Sequence, residues 1–174
     1  GGQGVQPGET PVEVDVPAGV SSGDYITLRG KGSVGRRGGP RGDVYVVLEV
    51  EEDARFVREG SDIFYELPIT YAQAVLGDRV EVPTVLGTTE VTIPKGTQSG
   101  TMIRLRGEGL PRLQSTGRGD QLVRVAVWVP SDLTAEQEKL IRKLREVESP
   151  APESMEEDRE GGGFWSRVRQ AFTA

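Results

Sequence analysis

An internal repeat is the feature that most constrains the fold of this chain. The segment VDVPAGVSSGDYITLRGKG at residues 14–32 recurs, without gaps, as VTIPKGTQSGTMIRLRGEG at residues 91–109. The offset is about 77 residues, and roughly 15 of 37 aligned positions are identical when the comparison runs on to residues 50 and 127. A repeat of this length predicts two tandem copies of one supersecondary unit.

Each copy is predicted to consist mainly of β-strands. Valine and other apolar residues alternate with charged residues along several short runs, as in half-buried strands. Of the 174 residues, 24 are glycine, which favours tight turns between short strands over helical layers. We predict strands over Thr10–Val16, Tyr25–Arg29, Asp43–Glu51, Ser61–Thr70, Arg79–Pro83, Thr101–Arg106 and Asp120–Val129, and a hairpin over Val85–Ile93 that turns at Leu86–Thr88.

Two segments are predicted to be helical. The first, Tyr71–Leu76, ends at Gly77. The second, Asp132–Val147, has Ser131 or Asp132 as its candidate cap. The fold class is therefore mostly β: two tandem small β-sandwich or barrel-like domains, with a short helix in the second and a C-terminal helix.

Five regions follow along the chain. Residues 1–8 are expected to be flexible, and residues 9–55 and 56–130 to form the first and second β-domains. Residues 131–148 form the C-terminal helix, and residues 149–174 a flexible acidic linker with an apolar tail. The polar stretch Glu52–Gly60 is expected to be the joint between the two copies, with Phe56 inside it.

Composition argues against several classes of function. The chain has no Cys and no His, which removes thiolate metal sites, the commonest general base and the usual catalytic triads. A net charge of −6 argues against a nucleic-acid groove, which needs clustered Lys and Arg. No catalytic constellation stands out, so no catalytic residue and no metal ligand is assigned. Asp43 and Asp120, which recur after Arg-Gly, are expected to bond local backbone N–H groups.

Two sets of apolar residues are candidates for binding. Candidate peptide-binding residues are Val12, Val14, Val16, Ile26, Leu28 and Phe56. The alternative is that these side chains are ordinary core, and that Phe56 is a plug packed between two domains.

The second set is an apolar stripe at helical spacing. It consists of Leu133, Leu140, Ile141, Leu144 and Val147. Either the helix packs on its own sheet, or it pairs with a helix of a second copy. The tail Phe164–Phe172 is expected to dock on the chain, to pair with another copy or to stay free.

These residues resemble a known family. The segments VDVPAGVSSGDYITLRGKG, RGDVYVVLEVEEDARFVREGSDIFYELPITYAQAVLGDRVEVPTVLG and IPKGTQSGTMIRLRGEGLP are similar to the C-terminal substrate-binding and dimerisation region of bacterial DnaJ-type co-chaperones. The opening GGQG resembles the end of that family's Cys-rich zinc repeats. The J-domain and the zinc-binding cysteines are absent from this sequence.

The resemblance implies a function as well as a fold. It implies a first β-domain that lacks its early strands, a groove for unfolded clients, a homodimer, and delivery of clients to a DnaK-type chaperone in the cytoplasm. It implies no cofactor in this fragment, although zinc is expected in the full-length family protein. The net charge and the lack of a long apolar run predict no direct nucleic-acid or membrane partner. The alternative is a structural dimerisation or assembly module without client binding. A third hypothesis, a carbohydrate-binding β-sandwich, would use Tyr25, Tyr45 and Trp128.

Overall fold

The computed structural model describes residues 8–152 except residues 36 and 38. The chain divides into two compact units, Gly1–Val129 and Pro130–Ala174. The predicted tail Phe164–Phe172 and most of the acidic linker lie outside the described residues.

Strands are the main regular elements of the first unit. Its elements, in chain order, are β1 (Tyr25–Leu28), β2 (Val44–Val47), β3 (Phe56–Glu59), β4 (Asp62–Ile69), α1 (Tyr71–Leu76), β5 (Asp78–Thr84), β6 (Gly87–Ile93), β7 (Met102–Leu105) and β8 (Gln121–Val127). The second unit contains one described helix, α2 (Ala135–Val147). The mostly β fold class with a C-terminal helix is thereby confirmed.

The strands form three sheets. Strands β1 and β2 pair with each other, β5 and β6 pair with each other, and the remaining four lie in the order β3-β4-β8-β7. Strand β4 runs parallel to β8, whereas every other pairing is antiparallel. The parallel pair forms the centre of the four-stranded sheet, and its inward residues are almost fully buried.

One hydrophobic core serves the second copy of the repeat. It joins one face of β4 and β8 to the hairpin β5–β6 and to α1. Its buried members are Leu67, Ile69, Ala74, Val82, Val91, Ile93, Val123 and Val125. The alternation of these residues along each strand places them on the same side of the sheet.

Helix α1 has the predicted bounds. Thr70 accepts a hydrogen bond from the backbone N–H of Gln73, whose side-chain oxygen in turn accepts from the backbone N–H of Thr70. This reciprocal pair satisfies two backbone donors that the first turn leaves free. Gly77, with φ of 77°, ends the helix in a conformation that glycine adopts without steric cost.

The repeat is present in the backbone geometry of the two copies. Hairpin β1–β2 and strands β7–β8 have the same register, since Tyr25 lies opposite Val47 as Met102 lies opposite Arg124. The bond from Gly23 N to Leu48 O, at 2.9 Å, corresponds to the bond from Gly100 N to Val125 O in the second copy, at 2.7 Å. In the same way, the bond from Gly32 N to Gly42 O, at 2.8 Å, corresponds to the bond from Gly109 N to Gly119 O, at 2.9 Å.

Two aspartates close the glycine-rich loops in the same way. Asp43 Oδ1 accepts from the backbone N–H of Gly30 at 2.8 Å, and Asp120 Oδ1 accepts from that of Gly107 at 2.8 Å. The bond from Gly107, together with the Arg104 guanidinium, holds the pKa of Asp120 below its usual value. The prediction that these aspartates bond local backbone is confirmed.

One prediction about the first copy is wrong. Residues Thr10–Val16 form no strand, because no strand of the described residues lies beside them, whereas β6 in the second copy pairs with β5. The joint Glu52–Gly60 contains a strand that the sequence did not predict, β3, in which Phe56 and Arg58 alternate with outward residues and pair with β4.

Two local details also differ. The hairpin turns at Val85–Leu86, since Thr84 lies opposite Gly87. The cap of α2 is Thr134, which forms a capping box with Gln137. Ser131 and Asp132 therefore precede the helix and do not cap it.

Gly119 should not tolerate a side chain, whereas Gly42, its counterpart in the first copy, should tolerate one. A Cβ at Gly119 would collide with the carbonyl of Ser61, whereas a Cβ at Gly42 would meet open space. We expect Gly119→Ala to lower the free energy of unfolding by about 1–3 kcal/mol. Gly42→Ala should change it by less than about 0.5 kcal/mol. Urea denaturation measures both, and equal effects would contradict the assigned packing.

Candidate functional site

A cleft opens beside β3. Its volume is about 930 Å³. Both copies of the repeat and the segment between them contribute to its walls. The lining residues are Ser21, Ser22, Val50–Arg58, Gly60, Ile63, Val85 and Leu110.

Phe56 is the aromatic residue of this cleft. It is half-buried on β3 and lies opposite Tyr65 of β4, with their ring centroids 5.8 Å apart. Its neighbour Val57 points to the other side of the sheet and is 70% exposed. Phe56 therefore packs on the sheet through one part of its ring and presents the rest to the cleft.

The Arg55 guanidinium, held in place by Asp53, lies over the Phe56 ring. The Arg55 guanidinium is 5.0 Å from the ring centroid, within the range of cation–π attraction. Asp53 holds it with two bonds, from Nη2 to Oδ2 at 2.9 Å and from Nε to Oδ1 at 3.0 Å. The side-chain bond from Arg55, reinforced by its backbone N–H, lowers the pKa of Asp53 to about 2. The Asp53 carboxylate at the rim beside Phe56 therefore stays ionised at neutral pH.

Arg58 fastens the first copy's turn to the edge of the four-stranded sheet. Its Nη1 donates to Val20 O at 2.8 Å, and its Nη2 donates to Gly19 O at 3.2 Å and to Ser21 Oγ at 3.0 Å. Its Nε donates to Gly60 O at 2.8 Å. The position of one cleft wall therefore depends on this side chain. Sequence reasoning missed Arg58, because an arginine in a polar stretch carries no signal of its distant acceptors.

Gly19 lets this turn approach the second copy closely. A Cβ there would collide with the backbone at Pro111 and Leu113. Gly19 also has φ of 93°, which a residue with a side chain resists. The turn that contains Gly19 and the loop that contains Pro111 and Leu113 therefore contact each other through backbone atoms.

The predicted peptide-binding residues lie on three separate elements. Only Phe56 lines the cleft. Ile26 and Leu28 are half-buried on one face of β1, opposite Val46 and Val44. The valines of the N-terminal segment lie outside any strand, with Val14 half-buried and Val12 and Val16 exposed.

The aromatic residues proposed for carbohydrate binding do not make a flat platform. Tyr25 and Tyr45 contact each other on the outer face of hairpin β1–β2, with ring centroids 5.8 Å apart and an interplanar angle of 65°. This edge-to-face arrangement offers no continuous ring surface for a sugar. Trp128 follows β8 and is exposed.

The apolar stripe of the C-terminal helix is exposed along its whole length. Leu140, Ile141, Leu144 and Val147 lie on α2, and Leu133 precedes it. None of the residues of α2 is buried. Arg142 and Glu138 form an ion pair one turn apart on the opposite face.

Metal and membrane sites are not found in the part of the chain that the structure describes. No group of three or more carboxylate, Cys or His residues there could hold a metal ion. Neither described helix combines the length and the apolar character needed to cross a membrane.

Comparison with known proteins identifies the family. The family model described as the DnaJ C terminal domain matches residues 5–130. The chain belongs to this family. The match covers both copies of the repeat and ends before α2.

The relatives of this DnaJ C-terminal chain are longer proteins. "Chaperone protein DnaJ" of Chlorobium luteolum is 45% identical over 98% of this chain and 44% of its own length. The protein of the same name from Brevibacillus choshinensis is 46% identical over 92% of this chain and 42% of its own length. The protein of the same name from Clostridioides difficile is 48% identical over 76% of this chain and 35% of its own length. The chain spans less than half the length of these relatives.

Removing the Arg58 guanidinium should release the first copy's turn. We expect Arg58→Met to lower the free energy of unfolding by about 1–3 kcal/mol, because hydrogen bonds from a charged donor are lost. Amide exchange at Gly23 and Asp24 should accelerate. Arg55→Met is the control and should change stability much less, because its ion pair is exposed. Unchanged exchange in the Arg58 variant would contradict this role.

Proposed function

We propose that this chain binds exposed apolar segments of unfolded polypeptides, prevents their aggregation and delivers them to a DnaK-type chaperone. The observation that carries the proposal is the open cleft with Phe56 on its wall. Family membership supports it, since the relatives are named chaperone proteins. The role is not enzymatic, and we place it in the cytoplasm.

The cleft has the size and chemistry for reversible binding of apolar side chains. Its volume of about 930 Å³ is near the upper end of the range of roughly 300–1,000 Å³ typical of ligand sites. Burying client apolar surface against Phe56, Val50 and Leu110 contributes about 25 cal/mol per Å². The ionised rim at Asp53 and Arg55 keeps the mouth hydrated, so a client has to displace water there. Affinity should therefore be modest and tolerant of client sequence.

We further propose that α2 joins two copies of the chain. Its exposed stripe repeats at intervals of three and four residues from Leu140 to Val147, the spacing of a helix–helix seam. A second copy would cover these side chains with an identical stripe. Two clefts in one dimer would add avidity for clients long enough to reach both.

The second candidate function is an assembly module without client binding. The exposed stripe of α2 favours it, because a scaffold needs only that surface. The two functions differ in whether a substitution of Phe56 weakens client binding. Zinc is expected in the full-length protein, but no residue of this chain is assigned to hold it.

Replacing Phe56 should weaken client binding and leave the fold intact. Because Phe56 is half-buried, Phe56→Ser removes roughly 50 Å² of contact surface, and we expect about tenfold weaker binding of a chemically denatured model protein. Light scattering measures suppression of its aggregation, and circular dichroism checks the fold. Val47→Ser, at an exposed valine of β2 that does not line the cleft, is the control. Equal suppression by the Phe56 variant and the parent would contradict the assignment and favour the assembly module.

Charges placed in the stripe of α2 should weaken dimerisation. We expect Leu140→Glu/Leu144→Glu to raise the dimer dissociation constant at least about tenfold, because carboxylates would be buried against an apolar partner. Ala135→Glu/Lys139→Glu adds carboxylates to the opposite face and should leave it unchanged. Sedimentation velocity over a concentration series gives both constants. A parent that stays monomeric throughout would rule out the dimer.

A further inference from the structure

Two side chains already occupy surface of the Phe56 ring. Tyr65, its cross-strand partner on β4, contacts it with the ring centroids 5.8 Å apart and an interplanar angle of 52°. The Arg55 guanidinium lies 5.0 Å from the centroid of the same ring. Tyr65 is a member of the sheet, whereas Arg55 precedes β3 and lines the cleft. A client side chain that packs on this ring from the cleft therefore has to take the position of the guanidinium.

A turn of residues 53–56 holds the guanidinium over the ring. Asp53 Oδ1 accepts from the backbone N–H of Arg55 at 2.8 Å and from its Nε at 3.0 Å, and Oδ2 accepts from Nη2 at 2.9 Å. The carbonyl of Asp53 accepts from the backbone N–H of Phe56 at 3.3 Å. An aspartate that bonds the backbone two residues later is a common turn former. The carboxylate, the guanidinium and the ring are therefore brought together by contacts within four consecutive residues.

The side-chain contacts of this turn are readily exchanged for water. The side chains of Arg55 and Asp53 are 60% and 45% exposed. At exposed sites, a cation–π contact and an ion pair each change an equilibrium constant by no more than about fivefold. If the guanidinium leaves the ring, Asp53 keeps its bond from the Arg55 backbone N–H, so the turn can persist. Displacing the guanidinium therefore requires no rearrangement of β3.

Arg58, the other arginine that lines the cleft, differs in this respect. Its guanidinium donates to the carbonyls of Val20 and Gly19, and both bonds are partly buried. Releasing it would detach the turn that forms one wall of the cleft. Of the two arginines, only Arg55 covers an apolar surface and can also move away at little cost.

We propose that Arg55 competes with the client for the Phe56 ring and thereby limits the affinity of the cleft for apolar segments. Without client, the guanidinium shields the ring from water and from other exposed apolar surfaces. A client side chain displaces it when the apolar area that it buries outweighs the two lost contacts. This inference rests on the proposed function, because displacement needs a client that packs on Phe56. It makes Arg55 a self-inhibitory residue that excludes weakly apolar segments.

An uncharged peptide without aromatic residues, acetyl-Gln-Leu-Ile-Leu-Gln-amide, tests the proposal. Isothermal titration calorimetry with the intact chain, at millimolar peptide, gives the dissociation constant. We expect Arg55→Ser to bind the peptide about two- to fivefold more tightly than the parent, because the competing guanidinium is gone. Arg79→Ser is the control, since it removes a guanidinium from an exposed ion pair with Glu90 that does not line the cleft. The control should bind as the parent does.

A double-mutant cycle tests whether the effect acts through the ring. Arg55→Ser/Phe56→Ser should bind the peptide as weakly as Phe56→Ser alone, because no ring remains to compete for. Raising NaCl from about 20 mM to 500 mM should tighten binding to the parent more than to Arg55→Ser, because salt screens the Asp53–Arg55 pair. The Arg55 variant corrects for the effect of salt on apolar contacts themselves.

NMR spectroscopy follows the guanidinium directly. In the parent without peptide, the side-chain protons of Arg55 should resonate upfield of their usual positions, because they lie in the ring current of Phe56. Saturation with the peptide should return them to their usual positions. Because the peptide contains no aromatic residue, this change reports that the guanidinium has left the ring.

Four results would overturn the inference. They are equal or weaker peptide binding by Arg55→Ser, a gain that persists without the Phe56 ring, equal salt dependence of parent and variant, and Arg55 resonances that stay upfield at saturation. If Arg55→Ser has no effect while Phe56→Ser still weakens binding, this inference fails and the proposed function stands. If neither the peptide nor a denatured client protein binds the parent or any variant, both fail.

Discussion

The parallel pairing of β4 with β8 is the contact on which the first unit depends. It joins residues 63–69 to residues 121–127, which are far apart in sequence, and its inward side chains include Gln121, Val123 and Val125, which are fully buried. Strands β3 and β7 then add at the two edges, and hairpin β5–β6 and α1 complete the core on one face. A parallel pair cannot close through a tight turn, so a long connection has to lie between its strands. That connection supplies α1 and β5–β7.

The two copies of the repeat share their turns but not their surroundings. Glycine and aspartate place the same bonds in both loops, because these depend only on residues within each copy. Among the described residues, the first copy has no strand equivalent to β4 beside β2 and none equivalent to β5 beside Thr10–Val16. Its apolar residues are half-buried or exposed where those of the second copy form a core.

Local signals in the sequence predicted much of this fold. The bounds of α1 followed from its terminal Gly77, and most strands followed from alternation. The strand expected at Thr10–Val16 failed because alternation reports only the preference of a segment, whereas a strand also requires a neighbour. Within the candidate site, Phe56 was found because an aromatic residue in a polar joint is conspicuous. Arg58 was not, since three of its four acceptors lie almost forty residues earlier in the chain.

The hydrogen bonds of the Arg58 side chain depend on the position of the main chain and on hardly any other side chain. Three of its four acceptors are carbonyl oxygens, which every amino acid supplies, and the fourth is the hydroxyl of Ser21. The turn can therefore exchange most of its residues over evolutionary time and remain anchored, provided that Gly19 keeps its backbone conformation. One arginine and one glycine would then preserve the wall of the cleft in relatives whose turn sequences differ.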